Sequence, residues 1–80
     1  ILDTAGSIAL ARGEAAAAVT YLARAAAGAP DRADIQLNYA DALLAHGKLD
    51  QARKVLGDLE GRDLGGQLAP RYEGLRARVQ

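Results

Sequence analysis

The chain has 80 residues, half of them apolar, and its ten basic and ten acidic side chains cancel. That length fits one small domain, and the balanced charge leaves no cationic footprint for nucleic acid. Cysteine is absent, which removes disulfide frameworks, thiol nucleophiles and thiolate metal sites.

Residues 1–12 read as a helix that stops at Gly13. Residues 14–27 are mostly alanine, the best helix former, with Val19, Tyr21 and Leu22. Gly28 and Pro30 close this second helix. Asp31 stands where an N-cap is wanted, and Asp34 falls in the first turn of a third helix over 32–46. The apolar stripe of that helix is Ile35, Tyr39, Ala42 and Leu43, and Gly47 ends it as a left-handed C′ residue. A fourth helix is expected over 49–60, with Leu49, Ala52, Val55, Leu56 and Leu59 on one face. Gly57 in its interior costs about 1 kcal/mol against Ala, and a close helix–helix approach is the expected reason for it. Gly61, Gly65 and Gly66 mark a loop, after which Pro70 suits the first turn of a fifth helix over 69–79. Tyr72, Leu75 and Val79 form its stripe, Leu68 staples its start, and Arg71, Arg76 and Arg78 are placed on its outer side.

Two copies of one pattern run through these elements 34 residues apart. Leu10 recurs as Leu44, Gly13 as Gly47, Ala18 as Ala52 and Leu22 as Leu56, while Gly6 has the small residue Ala40 as its counterpart. A fixed period of this size marks a stacked helical repeat whose single unit is too small to bury its own apolar face. Short glycine turns make the two helices of each unit antiparallel neighbours. The expected fold is all-α: a right-handed α–α superhelix of two helix-turn-helix hairpins, residues 1–32 and 33–66, closed by a helix in 67–80. Phe, Trp and Met are absent, so the core is thin, built from Leu, Val, Ile, Ala and three Tyr. The pattern is already under way at Ile1, so the chain reads as a piece of a longer protein. The exposed face of the first helix (Ile1, Ala5, Ile8) is therefore expected to pack on preceding sequence or on a second copy.

The residues resemble the tetratricopeptide repeat. Gly6, Gly13, Ala18, Leu22, Ala25 and Pro30 fill its pattern in the first copy, and Ala40, Gly47, Ala52 and Leu56 in the second. Gln36 stands where a bulky residue is usual, Leu59 replaces a small one, and Gly61, Arg62 and Asp63 replace a terminal proline. In that family the first helix of each hairpin lines a concave, protein-binding face. Carried over by register, the resemblance places Asp3, Ser7, Leu10 and Ala11 there from the first copy. From the second it places Asp34, Leu37, Asn38, Asp41, Leu44 and Ala45. Leu37 and Leu44, seven apart on a face the core stripe does not need, are read either as exposed contacts for a peptide or as packing against a neighbouring repeat. Asn38 is present, but acids and Leu stand where a carboxylate clamp needs cations, so none is expected. Residues 33–80 are also similar to the tail of bacterial chaperedoxins, thioredoxin-like holdases with a tetratricopeptide end. Ala33-Asp34-Ile35, Ala42-Leu43-Leu44-Ala45, Leu49-Asp50-Gln51-Ala52 and Arg71-Tyr72-Glu73-Gly74-Leu75-Arg76-Ala77-Arg78 carry that likeness. It implies protection of unfolding clients and their transfer to chaperones.

Catalytic chemistry finds little support. His46 is the only histidine and sits at a helix end, where an imidazole suits the last carbonyls better than a metal. Ser7 and Thr20 lack a nucleophile-elbow sequence, and Gly65-Gly66 lacks the Lys-Ser/Thr of a phosphate loop. Tyr21 and Tyr39 are expected between helices. No catalytic residue, cofactor or metal is assigned. The expected partner is a protein or peptide, with no nucleic acid. No run reaches the ~18 apolar residues of a bilayer span, and Asp3, Arg12 and Glu14 break the start into neither leader nor anchor. The expected role is a non-catalytic interaction module of the bacterial cytoplasm. The alternatives are an oligomerisation or spacer segment and an adaptor of a secretion or envelope-assembly complex.

Overall fold

The computed structural model describes residues 8, 9 and 11–79. Among them residues 8, 9 and 11 are helical, and four helices follow with no strand: α1 (Ala15–Gly28), α2 (Ala33–Ala45), α3 (Leu49–Asp58) and α4 (Gly65–Val79). The all-α helical repeat expected from the 34-residue period is the fold observed.

The two glycine turns agree bond for bond. Gly13 and Gly47 both adopt φ +78°, a left-handed conformation that costs glycine nothing and any residue with a Cβ roughly 1–2 kcal/mol. Around the first, Arg12 N–H donates to the Ile8 carbonyl at 3.0 Å and Glu14 N–H to the Ala9 carbonyl at 2.8 Å. Around the second, His46 N–H donates to Ala42 at 3.0 Å and Lys48 N–H to Leu43 at 2.8 Å. The 2.8 Å bond of each pair is the six-residue closure that satisfies one of a helix's last carbonyls. The following helices also open alike, with Ala18 N–H on the Glu14 carbonyl at 2.9 Å and Ala52 N–H on Lys48 at 3.0 Å.

Packing centres on α2, which touches α1, α3 and α4, while α1 and α3 stay apart. Its buried residues are Ile35, Leu37, Ala40, Ala42 and Leu43, spread around the helix and not confined to one stripe. A helix flanked on several sides must be apolar on several sides. One core cluster joins Leu37, Leu43, Leu56, Leu59, Leu75 and Val79. A second joins Ala9, Ala18, Leu22 and Ala42. Val19 and Tyr39 pack against both and weld them together. Each fully buried Leu contributes about 2 kcal/mol through area removed from water, so five such residues (Leu22, Leu37, Leu43, Leu56, Leu59) carry much of the fold.

Several local expectations are corrected. Asp31 does not cap α2: Arg32 is at that position, and no side chain donates or accepts a cap bond. Asp34 does lie in the first turn. The third hairpin helix ends at Asp58, where tighter turns (Leu59 N–H to Leu56, Glu60 N–H to Gly57, both 3.1 Å) lead to Gly61 at φ +83°. α4 starts at Gly65, earlier than Pro70 suggests, because Gly65 takes φ +79° and donates its N–H to Asp63 Oδ1 at 3.1 Å. Pro70 then lies inside the helix and removes the rung to the Gly66 carbonyl. Both residues are exposed, so that carbonyl is not buried by the change. No close approach explains Gly57, since a Cβ added there meets nothing within 4 Å. Leu49 and Tyr21 are exposed, at 47% and 38%, and only Tyr39 packs between helices as expected.

Two cations of the closing helix meet an acid on α2. Arg71 and Arg78 reach Asp41 on α2, at 3.8 and 3.4 Å, and Arg76 stacks over the Tyr72 ring at 5.6 Å. The stripe of Tyr72, Leu75 and Val79 assigns all three to the outer side, where Arg78 is exposed and Arg71 and Arg76 are half-buried. Arg71 and Arg78 reach across because the acid they meet belongs to a neighbouring helix. Arg53 of α3 donates to the Val79 carbonyl at 2.8 Å, satisfying one of the four carbonyls a helix end leaves open. Leu68 is half-buried against the main cluster, but it lies inside α4 and so does not staple the helix start.

Candidate functional site

Two surfaces compete for the role of binding site. The first is the face of α2 assigned by register. Asp3, Ser7 and Leu10 lie outside the described residues. Leu37 does not stand exposed: it is fully buried in the main cluster, the packing alternative of the two readings. The cluster it joins includes Ala52 and Leu56 of α3 and Leu75 and Val79 of α4, which a search for one stripe per helix does not include. Leu44 is half-buried against the same cluster, Asn38 is half-buried, and Ala45 and Ala11 are exposed.

The acids of this face are already engaged. Arg32 Nε and Nη2 donate to Asp34 Oδ1 and Oδ2 at 3.1 and 2.8 Å, a two-pronged pair. These bonds hold the Asp34 carboxyl below its ordinary range; partial burial pulls the other way and the Arg32 charge adds to the lowering. Asp41 meets both Arg71 and Arg78. The structure thus keeps Asp34, Asn38, Asp41, Leu44 and Ala45 on α2, but spends Leu37 on the core and Asp41 on the closing helix.

The second surface was not foreseen. α1 and α3 stand apart, and the space between them is a groove of about 730 Å³ floored by α2. Tyr39 and Leu59 give it an apolar base, Ala23 and Ala27 make the α1 wall, and Lys54 and Asp58 stand on the α3 wall. Arg62 closes one end by donating to the Pro30 carbonyl at 3.3 Å. Gln36 ties the floor to α1 through a 3.1 Å bond to the Ala26 carbonyl. None of the register-assigned residues lines it. A sequence signal for it existed: the alanines of α1 leave one wall without long side chains, so the neighbouring helix cannot fill the gap.

The arrangement offers no acid–base pair and, among the described residues, no group of three metal-ligating side chains. His46 is an exposed helix-end residue whose backbone N–H donates to Ala42. What remains is surface for contact. A family model for the tetratricopeptide repeat matches residues 9–79. The chain belongs to that family. Tetratricopeptide repeats typically mediate protein–protein interaction and are generally non-catalytic. No curated protein and no solved structure gives a significant match. Among the described residues no helix is long and apolar enough to cross a membrane.

Proposed function

We propose that the chain is a non-catalytic protein-interaction module whose partner is a protein or peptide. The observation that carries this reading is the open groove between α1 and α3 on a tetratricopeptide scaffold, about 730 Å³ with an apolar floor and a charged rim. The α2 face with Asp34, Asn38, Leu44 and Ala45 is a second contact surface, supported by register alone and extended by Asp3, Ser7 and Leu10. The test is a peptide array probed with the labelled chain, with hits measured by calorimetry. Saturable binding by the folded chain, lost after heat denaturation, is the expected result. An array without a saturable hit refutes the module reading.

A narrower role fits one further observation. The segment Arg71–Arg78, the least generic part of the chaperedoxin likeness, is anchored to α2 through Asp41. On the sequence likeness of that segment, we further propose a client- or chaperone-binding tail of a thioredoxin-like co-chaperone in the bacterial cytoplasm. Diluting a denatured client into buffer tests it: the chain, near equimolar, should lower light scattering. Unchanged scattering leaves the spacer and envelope-adaptor roles standing in its place.

A further inference from the structure

We propose that the groove between α1 and α3 receives an amphipathic helix of a partner protein that carries an acidic, a basic and an acidic residue at four-residue spacing. The inference rests on the module reading above and gives its partner a chemistry. Both walls of the groove are helices, whose backbone N–H and C=O groups are paired internally. They offer no strand edge, so an extended peptide would have only side chains such as Gln51 and Lys54 to pair with its backbone groups. A helical ligand satisfies its own backbone and needs from the groove only side-chain contacts. Ala23 and Ala27, four apart on α1, allow such a helix to approach one wall closely. Tyr39 and Leu59 give its apolar stripe a floor.

Charge sets the rest of the pattern. Every charged group lining the groove comes from α3 and the turn after it: Lys54, Asp58 and Arg62, at steps of four residues. No ion pair within the described chain engages Lys54 or Asp58, whereas Asp34, Asp41, Asp50 and Glu14 are each paired elsewhere. In order along the groove it therefore presents a cation and an anion on the α3 wall, Lys54 and Asp58, and a second cation at the end that Arg62 closes. A helix lying along it presents the complement in that order from residues four apart on one of its own faces.

The test uses two synthetic helical peptides with one leucine stripe, one bearing Glu-x₃-Lys-x₃-Glu beside it and the other the inverse, Lys-x₃-Glu-x₃-Lys. Fluorescence anisotropy should give the first about tenfold tighter binding, from three rim pairs of modest strength. Lys54→Glu with Arg62→Glu should reverse the preference, and both positions are exposed, so circular dichroism should stay unchanged. Ala27→Gln, which crowds the α1 wall without charge, should weaken both peptides. Equal affinity for the two peptides, or a preference indifferent to the double charge reversal, overturns the proposal. Amide shifts on Asp34, Asn38 and Leu44 without shifts on Lys54 and Ala27 also overturn it, yet leave the module reading intact.

Discussion

Replacing Gly57 with alanine should stabilise the protein. Gly57 lies inside α3, is exposed, has no positive φ, and a Cβ there meets no atom within 4 Å. Nothing is lost by adding a methyl group, and the unfolded chain loses freedom. The expected gain is about 0.5–1 kcal/mol. For a domain of this size that raises Tm by roughly 4–8 °C per kcal/mol. Gly74 offers the same opening in α4, and the two changes should add, because they sit on different helices. Gly47→Ala is the control of opposite sign, since φ is +78° there. Urea melts followed by circular dichroism at 222 nm read all three. If Gly57→Ala destabilises as Gly47→Ala does, α3 is approached closely by something at that point, and the packing described above is wrong.

Leu37→Ala should cost about 2–5 kcal/mol, enough to unfold much of a domain this small at 25 °C, whereas Leu44→Ala at its half-buried position should cost less; chemical denaturation distinguishes them. Asp41→Ala should lower stability by about 0.5–1 kcal/mol, with the loss shrinking at high salt and Arg71→Ala in the same chain adding little further. Asp34 titrates below its ordinary range in the folded chain because of Arg32, so its contribution is complete above the unfolded carboxylate range and fades as pH falls through the lower folded value. Carbon-detected NMR should return that titration to the ordinary range in Arg32→Ala.

What the sequence revealed was local and periodic. Gly13 and Gly47 announce their turns because only glycine takes φ +78° without strain, and the alanines of α1 announce a helix through propensity alone. The period then predicts stacking, and Ala18, Leu22, Ala52 and Leu56 are all fully buried. What stayed hidden depends on neighbours. Leu37 belongs to the core because α3 and α4 flank α2, a fact no stripe on α2 can encode. Arg71 and Arg78 find Asp41 across the chain, 30 and 37 residues away, so their direction could not be read from their own helix. The early start of α4 comes from Gly65 and Asp63 overriding the usual place of Pro70. The groove lay outside the register-assigned face altogether. It is a space between two helices, which the alanines of α1 permit but whose place the spacing within a helix does not give.

The matched bonds at the two glycines make the junctions interchangeable splice points. A tandem duplication of residues 15–48 ends on the same closure that it begins after, so an engineer can lengthen the rod by whole hairpins without designing a new linker. Each inserted hairpin would bring another cleft of the kind bounded by α1 and α3, and the number of partner helices one molecule holds would rise with it.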